Sequence, residues 1–150
     1  MKGQGTAEYV VLLAIVLVIA LIGTMLLTNT GVDAAAQAES ESYWKGMARP
    51  LGIDQWGQAN EVLYLSISNN GYDHLFQRQV KVDNVTADLG SGLSWKSGGI
   101  KALSIPGMPR CGVNNFDSFA YNVTFVYDSL SIPGQVERGE KQIVGYCQTL

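Results

Sequence analysis

The longest apolar stretch of the chain lies close to its N-terminus. Eighteen residues without a charge, Val10 to Leu27, follow directly after Glu8 and Tyr9. As an α-helix they would extend about 27 Å, close to the roughly 30 Å hydrocarbon thickness of a bilayer. The run is apolar on every face, and the rest of the chain is too short to enclose such a helix in a core. We therefore predict a helix that lies in a membrane or among several similar helices.

A cleaved secretory signal is an alternative interpretation of the same run. Such signals have a shorter apolar stretch that ends in small residues suited to cleavage. Here the chain continues as LIGTMLLTNTGVDAAAQAESES, in which only DAAAQA offers a weak cleavage site. The length of the run thus favours a helix that is retained.

The segment after Leu27 keeps helix-forming residues as far as GMARP, where Pro50 prevents a helix from continuing. We predict one long helix over residues 4–48, with a local break at Gly31 and an end near Met47. One stripe of its second half is expected to pack against the rest of the protein, and another stripe is polar. The packing stripe comprises Val32, Ala36, Tyr43 and Met47, and the polar stripe comprises Asp33, Gln37, Glu41 and Lys45.

Residues 50–150 follow a pattern of short strands and turns. The segment EVLYLSIS alternates, with Leu63, Leu65 and Ile67 on one face. FAYNVTFVY is interpreted as a single strand with its large apolar side chains on one face, so that Asn122 points outward. The glycine-rich LGSGLSWKSGG is expected to be a loop, because it lacks the spacing and the following helix of a phosphate-binding motif. The predicted fold class is α+β, with a long N-terminal helix packed on a C-terminal antiparallel β-sandwich.

The composition agrees with this division and limits the function classes. The chain has 150 residues, of which 17 are glycine and 15% are charged, as in a turn-rich β domain joined to an apolar helix. Its net charge is -3, and its ten Lys and Arg residues are scattered along the sequence. Binding to a phosphate backbone requires a basic surface, so we do not expect nucleic acid as a primary partner.

Several features place the β-rich region outside the cell. Lys2 is the only basic residue ahead of the apolar run, and the positive-inside tendency therefore places the N-terminus in the cytoplasm. The chain has an even number of cysteines, Cys111 and Cys147. Outside the cell, this favours a disulfide over two buried thiols. Two N-x-T sequons begin at Asn84 and Asn122 and predict N-glycosylation at these residues.

The N-terminal sequence KGQGTAEYVVLLAIV resembles that of archaeal type IV prepilins with a class III signal peptide, and GTAEY also resembles bacterial Flp-type pilins. In such prepilins the processing motif, here KGQ followed by EY, stands directly ahead of the apolar run. The resemblance implies that a prepilin peptidase cuts between Gly3 and Gln4 on the cytoplasmic face, which removes residues 1–3 as a leader. It also implies a pilus assembly ATPase and a membrane platform as partners.

The same resemblance implies roles for residues of the helix. Glu8, beside Tyr9, would meet the α-amino group of Gln4 on a neighbouring subunit, because an unpaired carboxylate in apolar surroundings costs several kcal/mol. The alternative is that Glu8 only marks the helix start, where an acid interacts favourably with the helix dipole by about 0.3–1 kcal/mol. The apolar side chains would form the core of a filament, namely Leu12, Leu13, Ile15, Val16, Leu17, Ile19, Leu21 and Ile22.

Residues for catalysis or cofactor binding are scarce in the sequence. His74 is the single histidine and lies in the turn-like segment NNGYDHLF, so neither a Ser-His-Asp triad nor a zinc site is expected. We expect no enzymatic activity and no cofactor or metal. Trp56, Trp95 and Tyr72 are expected to be exposed. Contact with sugars or neighbouring subunits is one interpretation, and the alternative is that they are ordinary scattered surface aromatic residues.

Two function classes follow from these patterns. The first is a structural subunit of an extracellular type IV pilus-like filament, a helical homopolymer for adhesion, surface attachment or motility, with a precursor in the cytoplasmic membrane. The second is a monomeric, single-pass membrane-anchored binding module outside the cell. This module would share the helix and the disulfide but would have no use for Gly3, Gln4 and Glu8.

Overall fold

The computed structural model describes residues 4–28, 34–111 and 117–148. The chain forms two units, Met1–Gly31 and Val32–Leu150. The first unit contains α1 (Gln4–Thr28), and the second contains α2 (Ala34–Ser42), a π-helix (Tyr43–Met47) and the strands. The strands are β1 (Leu51–Ala59), β2 (Val62–Asn69), β3 (Leu75–Val82), β4 (Val85–Trp95), β5 (Ile100–Pro106), β6 (Ser118–Tyr121), β7 (Val123–Ser129), β8 (Gln135–Arg138) and β9 (Ile143–Gln148). The predicted α+β class is confirmed.

The predicted continuity of one helix over residues 4–48 depends on residues 29–33, which lie outside the described residues. The predicted break at Gly31 lies outside them too, as do Val32 and Asp33 of the predicted stripes. What the structure describes on either side is α1 and, after the gap, α2 with the π-helix, which ends at Met47.

The face of α2 and the π-helix that packs against the sheets differs from the predicted stripe. Ser40 and Trp44 are buried, whereas Met47 is 67% exposed. The reason is the wide turn of the π-helix, in which the amide of Ala48 donates a hydrogen bond to the carbonyl of Tyr43, five residues back. The wider turn extends the buried face from Ser40 through Trp44 to Ala48, at a spacing of four residues.

Trp44 is the side chain that fixes this helical segment on the β-rich part of the unit. Its indole Nε1 donates a hydrogen bond of 2.9 Å to the carbonyl of Lys141. One turn earlier, the hydroxyl of Ser40 donates a hydrogen bond of 2.6 Å to the carbonyl of Gln142. The indole packs directly on Gly139, where a Cβ atom would collide with the ring. A glycine is therefore required beneath the tryptophan.

The strands form a five-stranded sheet in the order β5-β2-β1-β9-β6 and a four-stranded sheet in the order β4-β3-β7-β8. Paired strands are antiparallel, apart from β1 and β9, which pair in parallel. Buried side chains of both sheets join in one hydrophobic core. Between the sheets, the indole Nε1 of Trp95 donates a hydrogen bond of 3.3 Å to the carbonyl of Ile67.

The strand predicted from EVLYLSIS is confirmed as β2. Leu63, Leu65 and Ile67 are buried in the core, and Tyr64 on the opposite face is 50% exposed. Strict alternation of apolar and more polar side chains is the pattern of a strand with one buried face.

The single strand predicted from FAYNVTFVY is wrong, because the chain changes sheets at Asn122. Its first half is β6, which pairs with β9 in the five-stranded sheet. Its second half is β7, which lies between β3 and β8 in the four-stranded sheet. The two sheets face the same core, so the alternation continues across the change of sheet. The side chains predicted to share a face are all buried, namely Phe119, Tyr121, Val123, Phe125 and Tyr127.

The loop predicted from LGSGLSWKSGG is wrong for Leu89–Trp95, which form the second half of β4. Gly90 and Gly92 have φ angles of 64° and 92°, a conformation that glycine adopts without strain. They lie where the pairing of β3 with β4 shifts register, between Gln77 and Gln79. The two glycines therefore allow the register shift within the β3–β4 pair.

Candidate functional site

α1 exposes apolar side chains on every side. Each residue predicted to form a filament core is between 50% and 64% exposed. Burying one Leu, Ile or Val side chain is worth roughly 1.5–3 kcal/mol relative to water, so this surface requires apolar surroundings that α1 itself does not provide. Within residues 4–28, 34–111 and 117–148, no helix combines the length and the apolar character needed to cross a membrane. The residues concerned are Leu12, Leu13, Ile15, Val16, Leu17, Ile19, Leu21 and Ile22.

Glu8 is exposed and lies one turn inside α1. The helix begins at Gln4, and no acidic residue lies in its first turn. Because the helix dipole acts mainly within the first turn, the position of Glu8 weakens the interpretation of a simple helix-start acid. Tyr9 beside it is 68% exposed. Gly3 lies outside the described residues, so the predicted cleavage position between Gly3 and Gln4 stays a prediction.

A disulfide joins Cys111 and Cys147, the pairing that the sequence favours. Their Cα atoms lie 5.5 Å apart, a usual distance for a disulfide. Cys147 belongs to β9, and its backbone amide donates a hydrogen bond to the carbonyl of Asp117. The amide of Cys111 donates to the carbonyl of Asn60, in the turn between β1 and β2. The bridge therefore ties β9 to the segment that follows β5.

The two sequons, distant in sequence, meet at one end of the four-stranded sheet. Asn84 lies in the two-residue turn between β3 and β4, and Asn122 lies where the chain passes from β6 to β7. Both side chains are exposed, and both line a shallow polar depression of about 520 Å³. The prediction that Asn122 points outward agrees with its exposure, but its predicted position in the middle of a strand is wrong, because it lies at a corner between two strands. Glycosylation of either residue stays a prediction.

Asp83 precedes Asn84 in the chain and forms hydrogen bonds with Asn122, and the sequence gives no reason to single it out. Its Oδ1 accepts a hydrogen bond of 2.8 Å from the backbone amide of Asn122 and one of 3.3 Å from its side-chain Nδ2. The amide of Asp83 donates in return to the carbonyl of Asn122 at 3.0 Å. Asp83 adopts a positive φ of 49°, a conformation that Asp and Asn tolerate in turns.

Glu137 is a buried carboxyl group that the sequence also does not reveal. Its Oε2 accepts a hydrogen bond of 2.9 Å from the amide of Leu51, and within the described structure its Oε1 has no hydrogen-bond partner. Burial raises the pKa of Glu137 from 4.5 to about 7, against the opposing effects of the Leu51 hydrogen bond and the charge of Arg49. Burial, and then the nearby Glu137, raise the pKa of Tyr127. The carboxyl group of Glu137 therefore titrates near neutral pH.

His74 lies in the loop between β2 and β3, as the turn-like sequence predicts. Its Nε2 forms a short hydrogen bond with the hydroxyl of Ser94, and its ring lies 5.1 Å from the ring of Phe76. In the part of the chain that the structure describes, no group of three or more His, Cys, Asp or Glu side chains is arranged to bind a metal ion.

The aromatic residues expected on the surface have different environments. Trp95 is completely buried, so the expected exposure is wrong, because Trp95 ends a strand over the core instead of lying in a loop. Trp56 is half-buried, and its Nε1 donates a hydrogen bond of 2.9 Å to the carbonyl of Val144. Tyr72 is fully exposed, as expected.

Comparison with known proteins finds a match in the N-terminal segment. Residues 2–27 match the family model described as Class III signal peptide, and this range includes nearly all of α1. No curated protein matches the chain. A class III signal peptide implies processing by a prepilin peptidase and the pilus assembly machinery, a membrane-anchored precursor and a pilus-like product at the cell surface. The match therefore indicates a type IV pilin-like or related secreted protein.

Proposed function

We propose that the chain is a structural subunit of an extracellular type IV pilus-like filament and polymerises through α1. The observation that carries this proposal is the apolar surface of α1, which is exposed on every side. A helix with one apolar stripe would be buried by packing on one partner, whereas a helix that is apolar all round needs neighbours on all sides. A bundle of α1 copies from many subunits supplies such neighbours outside a membrane.

In this proposal Glu8 aligns each incoming subunit. Cleavage between Gly3 and Gln4 would create a new α-amino group at the start of the helix. A carboxylate that enters an apolar bundle without a partner costs several kcal/mol, and a positive amine on the neighbouring subunit compensates its charge. The exposure of Glu8, one turn inside α1, leaves its carboxylate accessible to such a partner.

The proposed role is structural and not catalytic. The precursor would remain in the cytoplasmic membrane until the peptidase, the assembly ATPase and the membrane platform convert it into a filament. The finished homopolymer would serve adhesion, surface attachment or motility.

Mass spectrometry of material sheared from the cell surface tests the proposal. We expect filaments that contain the chain, with an N-terminal peptide that begins at Gln4. Recovery of the chain only from detergent-extracted membranes, with Met1 retained, would favour the monomeric membrane-anchored module instead.

A second test replaces the proposed aligning residue. Glu8→Gln and Glu8→Ala are expected to abolish or strongly reduce filament yield while the amount of precursor in the membrane stays unchanged, because each removes the charge that meets the amine. Glu61→Gln is the matched control, since Glu61 is an exposed acid in the turn between β1 and β2. Filament yield is measured by electron microscopy and by quantifying sheared protein. Normal yield from both Glu8 variants would remove the assembly role.

A further inference from the structure

N-glycosylation transfers an oligosaccharide from a lipid phosphate to the side-chain amide of a sequon asparagine. A bond forms between Nδ2 and the anomeric carbon of the sugar, and the bond from that carbon to the phosphate oxygen breaks. The lipid phosphate leaves with the electron pair, and the amide gives one proton to a base of the transferase. The reaction therefore needs an accessible amide nitrogen and a backbone that can enter the active site of an enzyme.

Asn122 is exposed, but in the folded β-rich unit hydrogen bonds hold both its side-chain amide and its backbone. Its Nδ2 and its backbone amide both donate to the Oδ1 of Asp83, and its carbonyl accepts from the amide of Asp83. Thr124, the third residue of this sequon, lies in β7 and pairs with Lys81 on one side and with Arg138 on the other. Pairing on both sides holds this part of the sequon more firmly than pairing on one side would.

Asn84 has the opposite environment. It is exposed in the turn between β3 and β4, and its side chain forms no hydrogen bond within the described structure. Thr86, the third residue of its sequon, is also exposed. It lies in β4, which is at the edge of the four-stranded sheet and there pairs with β3 alone. This sequon can therefore be reached without disturbing the core.

We infer that Asn84 is the N-glycan acceptor of the folded domain and that Asp83 withholds Asn122 from modification. The donor is an oligosaccharide linked to a lipid phosphate. Its first sugar would lie over the polar depression of about 520 Å³ that Lys81, Asp83, Asn84, Asn122 and Thr124 line. This inference goes beyond the proposed filament role, because it concerns the exported domain whether or not α1 assembles.

Glycopeptide mass spectrometry of the full chain, exported from cells that carry an N-glycosylation pathway, tests the inference. We expect the glycan at Asn84, its loss in Asn84→Gln, and an unchanged intact mass distribution of glycoforms in Asn122→Gln after correction for the substitution. Equal occupancy of both sequons, occupancy of Asn122 alone, or no glycan on either would each overturn the inference.

A second pair of variants tests the role of Asp83 directly. Asp83→Gly removes the acceptor of Asn122 and suits the φ of 49°, so Asn122, unmodified in the wild type, should become detectably occupied. Asp83→Asn keeps a side-chain oxygen acceptor and the same backbone preference, and should leave Asn122 unmodified. Peptide mapping must recover the Cys111–Cys147 disulfide in both variants, which shows that occupancy is read on the folded domain. An unchanged Asn122 in a disulfide-bonded Asp83→Gly chain would refute the role of Asp83.

Discussion

In β8 the charged Glu137 faces the core and the apolar Val136 faces outward, the reverse of what hydrophobicity alone would assign. Val136 is 54% exposed, whereas Glu137 is only 8% exposed. The carboxylate of Glu137 accepts a hydrogen bond from the backbone amide of Leu51, the first residue of β1. The buried acid thus provides an acceptor for a backbone donor at the start of the first strand. This local requirement sets the orientation of a strand of four residues.

The raised pKa of Glu137 predicts a pH dependence of stability. The folded state binds the proton more tightly than the unfolded state does, so the contribution of this group is fully favourable below pH 4.5 and is lost as the pH rises to about 7. The loss amounts to at most about 3 kcal/mol. Glu137→Gln keeps an acceptor for the Leu51 amide without the charge, and should raise the free energy of unfolding at pH 8 by about 1–2 kcal/mol.

Denaturant unfolding of the detergent-solubilised chain between pH 4 and pH 8, followed by tryptophan fluorescence, measures this effect. The Glu137→Gln curve should be flatter than the wild-type curve between pH 4.5 and pH 7. Glu140→Gln is the control, because Glu140 is exposed on the neighbouring turn. Identical pH dependence in Glu137→Gln and in the wild type would show that the carboxyl group is not the source.

Among the elements, the segment formed by α2 and the π-helix depends on one tryptophan. Trp44 is fully buried and Met47 is 67% exposed, although the predicted stripe assigned the packing role to Met47. Trp44→Ala should therefore reduce the free energy of unfolding by about 3–5 kcal/mol. Met47→Ala, the matched control, should change it by less than about 0.5 kcal/mol. Equal losses of stability in the two variants, measured by denaturant unfolding, would support the predicted packing role of Met47.

The strands show how far hydrophobic pattern alone determines structure. β2 could be predicted because alternation, length and the following turn signal NNGYD all agree. β6 and β7 were predicted as one strand because alternation reports which side chains face the core, and it does not report which sheet a strand joins. β4 was missed because Gly90 and Gly92 suggest a loop, whereas the structure uses them within a strand pair.

At the scale of the whole molecule, the candidate site could be predicted only where it is local in sequence. The run that begins with Glu8 and Tyr9 lies in consecutive residues of one helix, so both its apolar character and its acid are evident from the sequence. The contact between Asp83 and Asn122 depends on the pairing of β3 with β7 and on the change of sheet. Such a contact follows from topology, which the order of polar and apolar residues does not contain.

The Cys111–Cys147 disulfide predicts a stability difference between the oxidised and reduced protein. The cysteines are separated by 36 positions, and in the chain-entropy model a bridge of this span contributes about 3–4 kcal/mol. The double variant Cys111→Ser/Cys147→Ser should lose stability of this size. The reductant dithiothreitol should produce a similar loss in the wild type and no further loss in the variant. A wild-type unfolding curve that dithiothreitol does not change would contradict the contribution of the bridge.

The position of β9 in the five-stranded sheet determines when that sheet can be completed during synthesis. β9 follows all the other described strands in chain order, yet it lies between β1 and β6, and in that sheet β6 pairs with β9 alone. While a nascent chain is shorter than about residue 148, β1 has an open side and β6 has no neighbour in its sheet. Non-local pairing of this kind forms late. The five-stranded sheet can therefore be completed only after residues 143–148 have been synthesised.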